Sequence, residues 1–137
     1  MNTLQLECAL KHVAPGIGVY AADQIPRGRT RGFIVNTQDS SQTGEHWVSF
    51  WKDGGSEFFD SFGQKPGYYG FQSTESYNTM MLQNPDSDTC GLYTLFYVML
   101  KSRGYTLGQI QKLFGTNTRL NDYLMYLFAS ELFYHCM

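Results

Sequence analysis

The chain has 137 residues, of which 42% are hydrophobic, 16% aromatic and 16% charged. This composition excludes an intrinsically disordered chain, which would be poor in aromatics and rich in charge, and the length suits a single domain, residues 1–137, with a core that needs no staples. Ten Lys+Arg against twelve Asp+Glu give a formal net charge of -2, which excludes a protein built globally to coat nucleic acid, and no run approaches the ~18 apolar residues of a membrane span.

Three cysteines, Cys8, Cys90 and Cys136, leave at least one thiol outside any intramolecular bridge. An odd count fits a reducing compartment better than a secreted scaffold. The opening MNTLQLECALKHV has neither the basic start nor the continuous apolar stretch of a signal peptide, so the expectation is a soluble, intracellular protein.

Taken in chain order, Thr3 to Val13 sets Leu6, Leu10 and Val13 at helical spacing and predicts a short amphipathic helix with Thr3 as its N-cap. The next stretch, APGIGVYAADQIPRGRTRG, carries two prolines and several glycines and reads as loop, with Arg27, Arg29 and Arg31 clustered between glycines. Three runs rich in β-branched and aromatic residues follow: Gly32 to Thr37, His46 to Lys52 and Glu57 to Phe62. Turn-forming clusters separate them, and Asp53-Gly54-Gly55 predicts a hairpin between the last two. Gly63 to Gly70 reads as loop, and a weaker strand is expected over Tyr77 to Gln83.

Beyond Asn84-Pro85-Asp86 the period becomes helical. Leu92, Leu95, Phe96 and Met99 predict a helix over Cys90 to Arg103 that stops at Gly104. Thr106 caps a second helix running to Phe114. A third, over about Asn117 to Tyr134, offers Leu120, Leu124, Leu127 and Phe128 as one apolar face, with Leu132 beyond. Short, mostly antiparallel strands packed against helices make an α+β domain.

The candidate chemistry starts from Cys90. Cys90 follows a turn-prone segment and opens an apolar helix, where unpaired N–H groups and the positive end of the helix dipole favour thiolate over thiol. The same N–H groups can hold an oxyanion. A buried structural cysteine is the alternative. A thiolate nucleophile needs an imidazole partner, and His46 opens a strand whereas His12 and His135 lie near the chain ends. Asp60, on the neighbouring strand among Phe58, Phe59 and Phe62, suits a carboxylate that fixes an imidazole's tautomer, although a strand-end turn aspartate is the simpler reading. Gln83, seven residues before Cys90, carries an amide able to donate to an oxyanion. No Cys/His spacing suggests a zinc site, and a Gly-rich phosphate loop is missing.

The order of these residues resembles the adenovirus maturation protease (adenain) family, in the cysteine-protease clan that also holds the SUMO deconjugases. The resemblance rests on Gly44-Glu45-His46-Trp47-Val48-Ser49-Phe50, on Phe59-Asp60-Ser61-Phe62-Gly63, and on Gln83 through Cys90-Gly91-Leu92-Tyr93. It extends weakly over most of the chain, through Gly18-Val19-Tyr20, Ile25-Pro26, GFIVNT and Leu113-Phe114-Gly115. It implies a fold of the adenain and SUMO-deconjugase type with papain-like site geometry. Cys90 would be the nucleophile, His46 the general base and acid, and Asp60 the orienting carboxylate. Gln83 and the Cys90 N–H would form the oxyanion hole, and Trp47 would wall a narrow cleft suited to glycine near the scissile bond.

Two departures stand out: adenoviral members carry glutamate where Asp60 stands, the aspartate being closer to the deconjugase pattern, and they are much longer. The resemblance further implies a monomeric viral endopeptidase acting on virion precursor proteins, in the virion and the infected cell, the nucleus in particular. It allows an activating peptide and DNA, with Arg27, Arg29 and Arg31 as possible contacts. Cys8 and Cys136 match no cofactor cysteine of the family and are expected to be passive, on the inner face of the first helix and in the tail. A ubiquitin-like deconjugase and a catalytically silent interaction module are the competing readings.

Overall fold

The aromatic and β-branched runs in the middle of the chain assemble into one five-stranded sheet. The computed structural model describes residues 1–42 and 44–136. The strands are β1 (Gly18–Tyr20), β2 (Gly32–Asn36), β3 (Trp47–Trp51), β4 (Glu57–Phe59) and β5 (Ser76–Tyr77), and they lie side by side in chain order. The sheet is antiparallel at its centre, where β2 pairs with β3 and β3 with β4, and parallel at both edges. The helices are α1 (Thr3–Val13), α2 (Cys90–Ser102), α3 (Leu107–Gln111) and α4 (Thr118–Cys136).

Both faces of the sheet are covered, which is why every residue of β2 and β3 is buried. Ile34, Trp47, Trp51 and Phe59 point toward the helices and join a core with Leu6, Leu10, Tyr93, Leu95 and Val98. Phe33, Val35, Val48, Phe50 and Phe58 point the other way, under Tyr20, Ile25, Tyr69 and Phe71. The alternation of a strand's side chains separates these two sets. α2 is the central helix: ten of its thirteen residues are buried. Tyr97 stacks on Phe59 at 4.5 Å between ring centroids and donates its hydroxyl to Glu57, whose carboxylate also pairs with Lys101 at 3.3 Å.

The hairpin expected at Asp53-Gly54-Gly55 forms, with Trp51 opposite Glu57 and positive φ at Gly54 and Gly55. Other expectations shift. α1 is capped by Asn2, whose side chain accepts from the Gln5 N–H in a capping box, so Thr3 is its first residue and not its cap. β1 lies inside the stretch read as loop; three residues are too few for a period, and their parallel partner β2 comes from a distant segment. The expected strand over Tyr77 to Gln83 shrinks to Ser76–Tyr77, because the amides of Leu82 and Gln83 turn to the carbonyl of Ser61. α3 ends at Gln111, short of Phe114.

α4 buries a different face from the one its leucines predict. Leu120, Leu124 and Leu127 are 53%, 38% and 52% exposed, while Asn121, Asp122, Met125, Ala129 and Leu132 face inward. Two polar residues hold this orientation. Asn121 donates to the carbonyls of Leu82 and Gly115, and the Asp122 carboxylate accepts from Thr89 and Tyr93. Buried polar groups with several partners outweigh an apolar stripe in deciding which side turns in.

Cys8 and Cys136, expected to be passive thiols, form a disulfide that ties α1 to the end of α4, and Cys90 is the free cysteine. Opening this bridge, by reduction or by Cys8→Ser, is expected to lower the unfolding free energy by about 2–5 kcal/mol, as for other bridges closing long loops. Urea titration of oxidised and reduced protein reads the effect; coincident midpoints would mean that the bridge contributes nothing.

Candidate functional site

His46 and Asp60 sit at the open end of the β3–β4 hairpin, one just before β3 and the other just after β4. Continuing the register in which Ser49 faces Phe59 places residue 46 across from residue 62. The His46 ring indeed stacks on Phe62, with centroids 4.7 Å apart and planes 19° from parallel. Its Nε2 lies 2.6 Å from Asp60 Oδ1. Cys90 lines the same cleft, and its hydrogen bonding and charge help to raise the imidazole.

Asp60 is fully buried and saturated with donors. Besides His46, its carboxylate accepts the N–H groups of Phe62 and Gln64, each at 3.1 Å, and the Tyr69 hydroxyl at 2.6 Å. Burial and the neighbouring Asp60 push the Tyr69 phenol well above its ordinary range, so it stays a donor. The main chain of Asp60 is clamped in turn by Asn78, whose Oδ1 accepts from the Asp60 N–H at 2.9 Å and whose Nδ2 donates to its carbonyl at 2.6 Å. Gly63 closes the turn, donating its N–H to the Asp60 carbonyl with φ +77°. A Cβ there would lie 2.8 Å from the Thr79 carbonyl oxygen, so only glycine fits.

Cys90 is the first residue of α2, as its sequence context predicts. The preceding Thr89 makes no side-chain cap and instead donates its hydroxyl to Asp122, which leaves the first turn of α2 without a side-chain acceptor. Cys90 is 7% exposed and lines a cleft of about 1000 Å³ together with His46, Trp47, Tyr69 and Gln83. Burial pushes its thiol up, but the hydrogen bond and charge of His46 and the backbone N–H of Trp47 outweigh it, and the thiol falls below its ordinary value. For His46, burial works downward, yet hydrogen bonds to Asp60 and Cys90 and their charges raise the imidazole to about 9. Both shifts run toward an imidazolium–thiolate pair.

Gln83 is buried with its amide oriented by two bonds. Its Oε1 accepts from Ser61 Oγ at 2.6 Å, and its Nε2 donates to the Ser87 carbonyl at 2.9 Å, which turns the NH₂ end toward the segment leading into Cys90. Trp47 walls the cleft, its Nε1 donating to the Met1 carbonyl at 2.9 Å. The arginine cluster is elsewhere. Arg31 precedes Gly32, which pairs with Trp51 at the far end of β2 from His46, and it contacts Asp53 and the Trp51 ring. Arg27 and Arg29 are exposed, and none of the three lines the cleft.

Tyr69, Asn78, Ser61 and Asp122 also belong to the site, and a reading of the sequence misses them. Each acts by contact across distant segments, and a tyrosine or asparagine in a loop carries no periodic signal. Among the described residues, the ligand atoms of Cys8, His12 and Cys136 lie within 4.8 Å of one another, a grouping that linear spacing does not reveal. The disulfide uses the two sulfurs that a soft metal would need.

No protein-family model matches the chain, and no curated protein matches it. Among solved structures, the chain is similar to the ASFV pS273R protease, with a TM-score of 0.50 and 22% identity, covering 80% of this chain and 45% of that one. This chain thus spans less than half of that protease's length. The likeness is one of fold: a small α+β arrangement of a mixed five-stranded sheet against helices, similar to that of a viral protease.

The charge pair has two readouts. Without reductant, iodoacetamide should label one thiol per chain, Cys90, at a rate that persists below the ordinary thiol range, and His46→Ala should slow it at least about tenfold at neutral pH. An ordinary thiol profile, unchanged by His46→Ala, would exclude the pair. Stability follows by linkage. The contribution of His46 is complete below pH 6.5 and is lost as pH rises through about 9. The depressed Cys90 thiol contributes in the opposite sense, above its ordinary value and less as pH falls through the folded one. His46→Gln should therefore flatten the loss of stability between pH 6.5 and about 9 in denaturant titrations.

Proposed function

We propose that this protein is a cysteine endopeptidase of the adenain type. The observation that carries the reading is a single buried imidazole that bonds Asp60 through Nε2 and shares one cleft with the helix-start thiol of Cys90, to which it is electrostatically coupled. In the proposed reaction the Cys90 thiolate attacks the scissile carbonyl carbon. The resulting oxyanion takes hydrogen bonds from the Cys90 N–H and the Gln83 amide. The His46 imidazolium then gives its proton to the departing amine, leaving a thioester. A water that passes its proton back to His46 hydrolyses the thioester and restores the thiolate. Asp60 holds the ring orientation throughout and keeps the imidazolium charge compensated.

The substrates proposed are virion precursor proteins cut at glycine-containing sites, in the virion and the infected cell. Trp47 beside Cys90 supports the glycine preference, because it narrows the cleft; a medium apolar residue a few positions upstream is suggested only by the adenain resemblance. An activating peptide or DNA would follow from the same resemblance. Arg27, Arg29 and Arg31 do not line the cleft, and a polyanion held by Arg31 would lie toward the end of β2 far from His46. The aspartate at position 60 favours a second reading, a deconjugase of the same clan.

Quenched-fluorescence peptides with glycine at the cleavage position, assayed beside ubiquitin-like precursors, test these readings. Turnover of the peptides is expected, with a covalent acyl-enzyme detectable by mass. Cys90→Ala should abolish it while the protein stays folded. Asp60→Asn should cost about 10²–10⁴ in kcat and Gln83→Ala about 10²–10³. Release of ubiquitin-like proteins without peptide cleavage would select the deconjugase. Folded protein with a reactive Cys90 and no turnover on either substrate would favour a silent interaction module.

A further inference from the structure

Gln83 reaches the cleft from a buried position, and a primary amide can lie there in two orientations, NH₂ or carbonyl toward the nucleophile. Only the first offers a donor to an anion formed beside Cys90; the second would present a carbonyl oxygen and repel it. Two neighbours decide between them. The Ser87 carbonyl, which can only accept, takes a hydrogen bond from Nε2 at 2.9 Å. At the other end the Ser61 hydroxyl donates to Oε1 at 2.6 Å, and among the described residues no second donor reaches that oxygen. Ser61 is fully buried and does not itself line the cleft. Its carbonyl also accepts the N–H groups of Leu82 and Gln83, at 2.8 and 3.0 Å. Because Ser61 follows Asp60 directly, one turn carries both the carboxylate that orients His46 and the hydroxyl that orients Gln83.

We propose that Ser61 is a positioning residue for acyl transfer, whose hydroxyl locks the Gln83 amide with its NH₂ end toward the cleft. This rests on the reading of Cys90 as an acyl-transferring nucleophile and deepens it. Turning the amide over would set Oε1 against the Ser87 carbonyl and leave the Ser61 hydroxyl facing an NH₂ group, so both bonds oppose the wrong orientation. Without the Ser61 hydroxyl, Oε1 is a buried acceptor with no donor, and half of that opposition is gone. The two bonds from the Leu82 and Gln83 N–H groups run to the Ser61 main chain and survive Ser61→Ala, so this variant removes the side-chain lock alone. The thiol and its imidazole are untouched by the change, because neither bonds Ser61. Loss of the lock should therefore slow steps that build an oxyanion and spare steps that need only a thiolate.

Two reagents separate these steps at one sulfur. With p-nitrophenyl acetate the Cys90 thiolate adds to the ester carbonyl carbon and the carbonyl oxygen becomes an oxyanion. Its collapse expels p-nitrophenolate and leaves an acetyl thioester on Cys90. With iodoacetamide a C–S bond forms as iodide leaves, and no oxyanion arises. On the full chain with Cys8 and Cys136 oxidised, Ser61→Ala should slow acetylation of Cys90 about tenfold and leave the iodoacetamide rate within about twofold. p-Nitrophenolate absorbance and adduct mass follow the first reaction, adduct mass the second. In a Gln83→Ala background the same change should alter acetylation by less than about twofold, since a residue acting through Gln83 then has nothing to position. The proposal is overturned if Ser61→Ala acetylates as fast as the parent, if both reagents slow together as a loosened fold would make them, or if the tenfold loss persists without Gln83. A parent acetylated no faster than Gln83→Ala overturns it as well. The comparison needs no peptide turnover, so a chain that shows this pattern yet cleaves no peptide rejects the endopeptidase and keeps Ser61 in its role.

Discussion

The structure is organised around one buried carboxylate. Asp60 has no exposure to solvent and gathers four donors from four residues: an imidazole, a phenol and two backbone N–H groups. A charge in that position is costly unless every lone pair is met, and here every partner is supplied by structure rather than by water. The requirement propagates outward. Gly63 permits the turn that delivers the N–H groups, the short 3-10 helix at Pro66–Tyr69 delivers the phenol, and Asn78 pins the main chain on which the carboxylate rides. The orientation of His46, and through it the state of Cys90, is the end product of these constraints.

A second buried carboxylate shapes the other wall. Asp122, from the inner face of α4, receives the hydroxyls of Thr89 and Tyr93 and so fixes the first turn of α2 from behind. Because Thr89 is drawn to Asp122, it does not cap the helix whose start it precedes. The backbone N–H groups around Cys90 are thereby left to whatever anion enters the cleft. The two acidic residues thus have separate roles, Asp60 orienting His46 and Asp122 bracing the helix start at Cys90.

Much of this is legible in the sequence because the relevant signals are local. The hairpin at Asp53-Gly54-Gly55, the turn after Asn84-Pro85 and the helix opened by Cys90 are written in adjacent residues, and they place His46, Asp60 and Cys90 at element ends. The supports for these residues are not local. Tyr69 reaches Asp60 from a Gly/Pro-rich stretch, and Asn78 does so from a segment that reads as strand. The disulfide joins two cysteines 128 residues apart. On α4 the apolar period is real but points to the wrong side, since hydrophobicity reports that a face wants cover without saying which neighbour provides it. Asn121 and Asp122 decide the matter through bonds that only the folded chain brings together.

The hairpin origin of His46 and Asp60 has a consequence for the thiol. These two residues belong to one supersecondary unit, whereas Cys90 joins them through the packing of α2 across β3. Without that packing the sulfur has no imidazole beside it. The lowered state of the Cys90 thiol is therefore a property of the completed tertiary structure and not of its local sequence.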